Sequence, residues 1–258
     1  MRRSSFPLLI TVLVLVFLHL PILVLVAGSC NASRFGGSWE GFTLEWYRRL
    51  LDDRAVWHAL RNTALIAIAA TAVASVLGTA AALALHGFRT RLQEMHTALI
   101  AMPLVVPDIL MGMSLLLLFV ATGVGLGLFT VFLAHVTFCV SYVCMVVLAR
   151  LQDFDASLIE AARDLGASRW AAVRHVLIPL IAPGIAAGAL LAFTLSVDDF
   201  VVTFFVAGPG STTLPIQIYS MIKHSKQMPV INALSTILLV ATFMMILLTQ
   251  RLRRESSA

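Results

Sequence analysis

Apolar residues run along this chain in long uninterrupted stretches, with no alternation at period two. Six stretches stand out, at about residues 6–27, 63–85, 98–120, 126–149, 183–206 and 231–249. Each is close to the roughly 20 residues a helix needs to cross a bilayer. In lipid only helices and closed barrels satisfy the backbone, and barrel strands alternate. The pattern therefore predicts an all-α integral membrane protein with six transmembrane helices. The first run follows Arg2 and Arg3 and ends at Ala27-Gly28-Ser29-Cys30, which loosely resembles a lipoprotein cleavage site. Its apolar stretch is about 22 residues, against about 7–15 in a signal peptide, so an uncleaved span is expected.

Composition narrows the class further. Of 258 residues, 60% are hydrophobic and 12% charged, where a soluble domain carries about 25% charged residues. An ordinary soluble enzyme, a disordered chain and a fibre are excluded. A single transmembrane domain over residues 1–258 is expected, with no separate soluble domain. The net charge of +5 would raise nucleic acid in a soluble protein. Here it reads as loop asymmetry, and no nucleic-acid partner is expected. Arg2, Arg3, Arg89, Arg91, four arginines from Arg150 to Arg174, and Arg251, Arg253 and Arg254 put eleven positive residues on one side. The other side holds seven: Arg34, Arg48, Arg49, Arg54, Arg61, Lys223 and Lys226. The richer side is the cytoplasmic one, so both termini are expected inside. Cys30, Cys139 and Cys144 form no CxxC or metal spacing.

The long connections carry the chemistry. The cytoplasmic loop 151–182 reads as two short amphipathic helices joined by a glycine turn. Leu158, Ile159, Ala162 and Leu165 share one face of the first. Gly166 stops it, and Ser168 caps a second, which Pro179 and Pro183 are expected to end. Ser157 and Glu160 match a capping box, so Glu160 either closes that helix start or serves a docking face. The loop lies on the membrane surface or docks a partner.

Glu160-Ala161-Ala162, Gly166 and Val176-Leu177-Ile178-Pro179 resemble the EAA loop of ABC-transporter permeases, with matching spacing throughout. The resemblance implies a type I ABC importer permease fold in a bacterial cytoplasmic (inner) membrane. It implies a homologous permease subunit as partner and two cytoplasmic ATPase subunits. In that family Glu160 would pair with a basic ATPase residue, Ala161 and Ala162 would allow close approach, and Gly166 would form the turn.

Three aspartates lie in or near apolar runs: Asp108, Asp198 and Asp199. A charge at the bilayer centre costs about 2.5–3.5 kcal/mol, and no basic residue lies within either run. They either line a cation route, or cap helix breaks and meet a partner. Asp108 follows Pro103 and Pro107, so its helix is expected to be bent and locally open. The first outer loop, residues 28–62, holds Phe35, Trp39, Phe42, Trp46, Tyr47 and Trp57 among Glu40, Glu45, Asp52 and Asp53. Aromatic faces with carboxylates hold ammonium groups, and Trp46 is a candidate for the path. An interfacial aromatic belt is the commoner arrangement and the favoured one.

Asn31-Ala32-Ser33-Arg34-Phe35, Trp39-Glu40-Gly41-Phe42-Thr43 and Trp46-Tyr47 are similar to the opening loop of spermidine/putrescine permeases of the PotC type. So are Pro107-Asp108-Ile109, the run from Ala134 to Cys139, the run from Phe193 to Pro209, Thr213-Leu214-Pro215 and Ile218-Tyr219-Ser220. This resemblance implies a polyamine importer fed by an extracytoplasmic polyamine-binding protein, with Tyr219 a further path candidate. One departure concerns the amine: where the subgroup commonly has Pro-Glu before the last span, this chain has Pro229-Val230. The preceding Lys223-His224-Ser225-Lys226 is basic.

Other signals are bland. Gly123-Val124-Gly125-Leu126-Gly127 reads as a turn, and no Walker lysine follows any glycine loop, so ATP is expected on partner subunits and no cofactor here. Gly184-Ile185-Ala186-Ala187-Gly188 suits close helix packing, either internal or at a permease seam. His135 lies within a run, where a hydrogen bond to a neighbouring helix is expected rather than ligation. An enzyme lacks its nucleophile–base pair here; a carrier without ATPase, or an ABC permease for another substrate, are the rivals.

Overall fold

The computed structural model describes residues 5–35, 37–87, 91–224 and 228–255. Arg2, Arg3, Arg89, Ser225 and Lys226 lie outside them. The described residues form twelve α-helices and no strand, with one isolated antiparallel bridge between Asn31 and Phe42. In chain order they are α1 (Ser5–Ser29), α2 (Glu45–Leu51), α3 (Arg54–Gly87), α4 (Gln93–Val105), α5 (Asp108–Ala121) and α6 (Leu128–Gln152). Next come α7 (Ser157–Asp164), α8 (Arg169–Ala172), α9 (Ile178–Asp198), α10 (Val201–Val206), α11 (Leu214–His224) and α12 (Met228–Glu255).

All six apolar runs fall on helices, but not as six plain rods. Four helices are long and apolar enough to cross a membrane: Leu8–Ser29, Arg54–Gly87, Leu128–Gln152 and Arg169–Asp198. The third run is a pair, α4 and α5, meeting at 106°. The expected opening occurs at Val106–Pro107, while Pro103 stays inside α4. The fifth run is broken too, because α9 ends at Asp198 and α10 starts at Val201. The sixth run lies in α12, whose described apolar part is Met228–Met244. The 34 residues of α3 span about 51 Å at 1.5 Å per residue, against a hydrocarbon core of about 30 Å. Its polar first turns, Arg54–Asn62, extend it past the apolar run.

The prolines do not end the second loop helix, contrary to expectation. The helix from Arg169 passes through a π-helical turn, Val173–Leu177, and continues as α9. Pro179 has no N–H for the carbonyl four residues back. In the wider turn before it, Ile178 donates its N–H to the Val173 carbonyl, so the chain stays helical into the proline.

The chain forms two compact units, Met1–Trp57 with Ile218–Ala258, and His58–Gln217. In the first, α1 packs along α12, and α12 meets α2. A side chain at Gly28 would strike the Asn232 amide at 2.8 Å. The segment between α1 and α2 is organised by Asn31. Its side chain donates to the Ser38 carbonyl and accepts from the Ser33 and Glu40 N–H groups. Its carbonyl accepts the Trp46 indole N–H at 2.7 Å.

In the second unit α6 is the centre, packed by α9, α4 and α10. Val131, Ala134, Cys139, Val143, Cys144, Val147 and Leu151 are fully enclosed along it. Two glycines admit its neighbours: a Cβ at Gly188 of α9 would lie 3.3 Å from the Val143 backbone, and one at Gly78 of α3 would lie 2.7 Å from the Val143 side chain. Gly184 likewise lies under Arg150. The Gly184–Gly188 face thus serves internal packing of α9 on α6. Elsewhere in this unit, Asn62 of α3 donates to the Gly210 and Thr212 carbonyls, and Thr63 accepts the Leu214 N–H. These bonds fix the turn before α11.

Candidate functional site

The helix breaks bring the three intramembrane aspartates together. Asp108 is the first residue of α5, after the bend at Pro107. Asp198 is the last residue of α9, and Asp199 lies in the extended link to α10. All three line one cavity of about 260 Å³, with Phe138, Tyr142 and Phe200 among its walls.

Their electrostatic settings differ. A carboxylate at a helix N-terminus, as at Asp108, is favoured by the helix dipole. Asp198 stands at a helix C-terminus, where unpaired carbonyls already carry partial negative charge. It is exposed to the cavity, so a cation beside it relieves both sources of repulsion. Asp199 is engaged. It accepts the N–H of Val202 at 3.2 Å and of Thr203 at 2.8 Å, and the Thr203 hydroxyl at 2.6 Å. It thereby satisfies donors at the start of α10. His135, 1% exposed on α6, lies 3.4 Å from the same carboxylate. Its ring nitrogens meet Ser196 of α9 and Thr203 of α10, as a hydrogen-bonded core histidine is expected to do.

Trp46 and Tyr219 belong to the other unit. Trp46 is 4% exposed and its N–H is committed to Asn31, so within its unit it braces the outer loop. Tyr219 is exposed, with the Lys223 ammonium 6.0 Å above its ring. Val230, next to Pro229 near the start of α12, is buried. Phe35, Trp39, Phe42 and Trp57 are largely exposed.

The loop 151–182 has a defined geometry. Ser157 is the first residue of α7 and caps nothing; Asp155 accepts its N–H instead. Hydrogen bonds from the Ser157 side chain and N–H hold the exposed Asp155 carboxyl below its ordinary range. The capping box therefore does not form, and Glu160 is left on the exposed surface. At the other end Ala167 donates to the Ala162 carbonyl and Gly166 to that of Arg163. This pair of bonds is the Schellman closure, and it needs a left-handed residue between. Gly166 supplies it with φ +92°. The spacing of Ala162 and Gly166 is thus set by helix termination. Ser168 caps α8 through the Ala171 N–H. Around the turn, Leu165 is 90% exposed and Trp170 72% exposed, two apolar side chains that nothing in the loop covers.

Residues 74–254 match the family of the binding-protein-dependent transport system inner membrane component. The chain belongs to this family. The matched segment contains Asp108, Glu160, Gly166, Asp198 and Asp199. The chain is 39% identical over 241 residues to the spermidine/putrescine transport system permease protein PotC of Escherichia coli K12, covering 93% of this chain and 91% of that one. It is 43% identical over 246 residues to the putrescine transport system permease protein PotI of the same organism, covering 93% and 87%. Among solved structures it resembles a chain from a bacterial ABC transporter involved in the import of the acidic polysaccharide alginate. There the TM-score is 0.77 at 18% identity, over 97% of this chain and 98% of that one. The fold is that of an ABC-importer permease, and the chain is a multi-pass inner-membrane transport component of the PotC and PotI type.

Sequence reasoning missed Asn31, Asn62 and Thr203. Each is a polar residue whose role depends on how the backbone turns around it or on a partner far along the chain.

Proposed function

We propose that this permease is a membrane subunit of an ATP-driven polyamine importer. The observation that carries the reading is the cavity at the two helix breaks. It gathers Asp108, Asp198 and Asp199 with Phe138, Tyr142 and Phe200. Carboxylates attract ammonium groups, and aromatic faces hold them and the methylenes between. An anionic cargo would meet only repulsion there. The relatives PotC and PotI, named for spermidine and putrescine, support the amine class.

In this reading a second, homologous permease completes the path, and an extracytoplasmic binding protein delivers the amine. Two cytoplasmic ATPase subunits bind and hydrolyse ATP; this chain needs no cofactor of its own. One ATPase receives the α7–α8 loop, with Leu165 and Trp170 as the apolar contacts and Glu160 as the charged one. Both termini then lie in the cytoplasm. Val230 removes one acidic position, which leaves the preference between a diamine and a triamine to the cavity and the binding protein.

The test is uptake by the reconstituted complex of this chain with its partner permease, ATPases and binding protein. ATP-dependent accumulation of spermidine or putrescine is expected. An assembled complex that hydrolyses ATP and accumulates neither would overturn the amine assignment and leave the ABC permease standing.

A further inference from the structure

His135 is buried at the point where three helices meet, and the transport reading above gives it no role. Its ring joins α6 to the ends of both helices at the break. Nδ1 lies 2.7 Å from Ser196 Oγ, in the last turn of α9, and Nε2 lies 2.8 Å from Thr203 Oγ1, in the first turn of α10. Thr203 in turn donates its hydroxyl to Asp199 at 2.6 Å.

Proton counting gives the chain a direction. Thr203 has one hydroxyl hydrogen, and it goes to Asp199. Thr203 therefore accepts from His135, so Nε2 carries a hydrogen. Ser196 Oγ has no other partner among the described residues. Its hydroxyl is used if it donates to Nδ1, and every donor in the series Ser196, His135, Thr203, Asp199 is then satisfied. Buried polar groups favour such complete networks.

We propose that His135 is a positioning residue for the substrate cavity: it ties the end of α9 to the start of α10 and, through Thr203, holds Asp199 as the cap of α10. Asp198 then remains the carboxylate at the break that faces the cavity unengaged. His135 does not line the cavity, so it acts on substrate through this geometry alone. The inference rests on the polyamine reading for its substrate, but its bond pattern stands apart from it.

The test compares His135→Asn, His135→Gln and Thr203→Val with wild type in the reconstituted complex, using labelled spermidine. A Gln amide at this site reaches toward Thr203 as Nε2 does, whereas the shorter Asn cannot. We expect His135→Asn and Thr203→Val to raise the half-saturating spermidine concentration about tenfold, with the maximal rate and the assembled yield within about twofold of wild type. His135→Gln should restore the wild-type value. Nitrogen NMR of histidine-labelled chain gives a substrate-free readout: one protonated and one bare ring nitrogen at His135, altered in Thr203→Val. Equal half-saturation in all variants, loss of assembly even in His135→Gln, or two protonated ring nitrogens would each overturn the proposal. A wild-type complex that takes up no polyamine, with the NMR pattern intact, would sink the transport reading instead.

Discussion

Asp198 and Asp199 are neighbours in sequence, yet the structure assigns them opposite energetic roles, and substitution should separate them. Asp199 receives three hydrogen bonds, from the Val202 and Thr203 N–H groups and the Thr203 hydroxyl. In Asp199→Ala the start of α10 loses its cap, which costs about 0.5–2 kcal/mol. The Thr203 hydroxyl is also stranded in a buried site, at about 1–3 kcal/mol. Relief from burying a charge offsets part of this, so a net loss of about 2–4 kcal/mol is expected. At about 2–4 °C per kcal/mol for a chain of this size, the unfolding midpoint in detergent should fall by about 4–16 °C. Asp198 has no hydrogen bond or ion pair among the described residues, and it stands at the wrong end of a helix for an acid. Asp198→Asn should therefore leave the midpoint unchanged or raise it by the equivalent of about 0.3–1 kcal/mol. On the proposed reading its cost appears in uptake at low amine concentration. Thermal unfolding followed by tryptophan fluorescence measures both variants in one day. A fall in Asp198→Asn as large as that in Asp199→Ala would refute this division of labour.

Two further substitutions and one pH profile test other parts of the structure. A Cβ at Gly208 would overlap the Leu126 carbonyl oxygen, a clash with backbone that no rotamer relieves; Gly208→Ala should destabilise by about 1–3 kcal/mol or more, and an unchanged midpoint would show that the turn yields. Glu160→Lys reverses an exposed charge and should leave insertion and stability intact while ATPase co-purification falls; normal association and uptake would remove Glu160 from the docking surface. Asp155 has its carboxyl depressed by hydrogen bonds to Ser157, so its contribution to the start of α7 is complete above the ordinary aspartate value of about 3.9 and is lost as pH falls through the lower folded value. Cleavage of the 153–157 segment by an acid-active protease should therefore stay flat from pH 7 to about pH 4, and a rise near pH 5 would contradict the depression.

The apolar runs made the helices legible, because a bilayer demands length and apolarity that few other contexts do. The bend at Asp108 was legible as well, since a proline before an acid announces an opened helix. The break at Asp199 was legible only as one of two readings of the aspartates, and its position was not. The run from Pro183 to Val206 is apolar enough to read as one span, and only the hydrogen bonds of Thr203 and His135 show where it parts. Pro179 misled for the converse reason. A proline predicts an end to a helix, but a single π turn ahead of it, invisible in the sequence, lets the helix continue. The Glu160 loop was legible through its spacing, and the structure supplies a reason for half of that spacing. Ala162 accepts the outer bond of a Schellman closure, from Ala167, and Gly166 is the left-handed residue inside it. The exposure of Glu160 followed from where Ser157 falls, which sequence alone placed one position too early.

The unbroken helix from Arg169 to Asp198 links the two candidate sites within one element. Its thirty residues extend about 45 Å. One end carries Trp170, exposed beside the Gly166 turn; the other end is the aspartate break. Between them the helix makes its closest approach to α6 at Gly184 and Gly188. From Trp170 to Gly188 is about 27 Å along the axis and from Gly188 to Asp198 about 15 Å. A helix rocking on that contact therefore converts a shift of about 2 Å at the loop into about 1 Å at Asp198. That is enough to lengthen hydrogen bonds of 2.7 Å and 2.8 Å past their useful range. The His135 bridge joins this rod to α10, and α10 also packs on α5, the helix that begins at Asp108. A displacement arriving from the loop must then either carry α10 and α5 along with the rod or break the bridge. In the first case Asp108 moves with Asp198; in the second the separation between the two carboxylates changes, and with it the shape of the cavity they line.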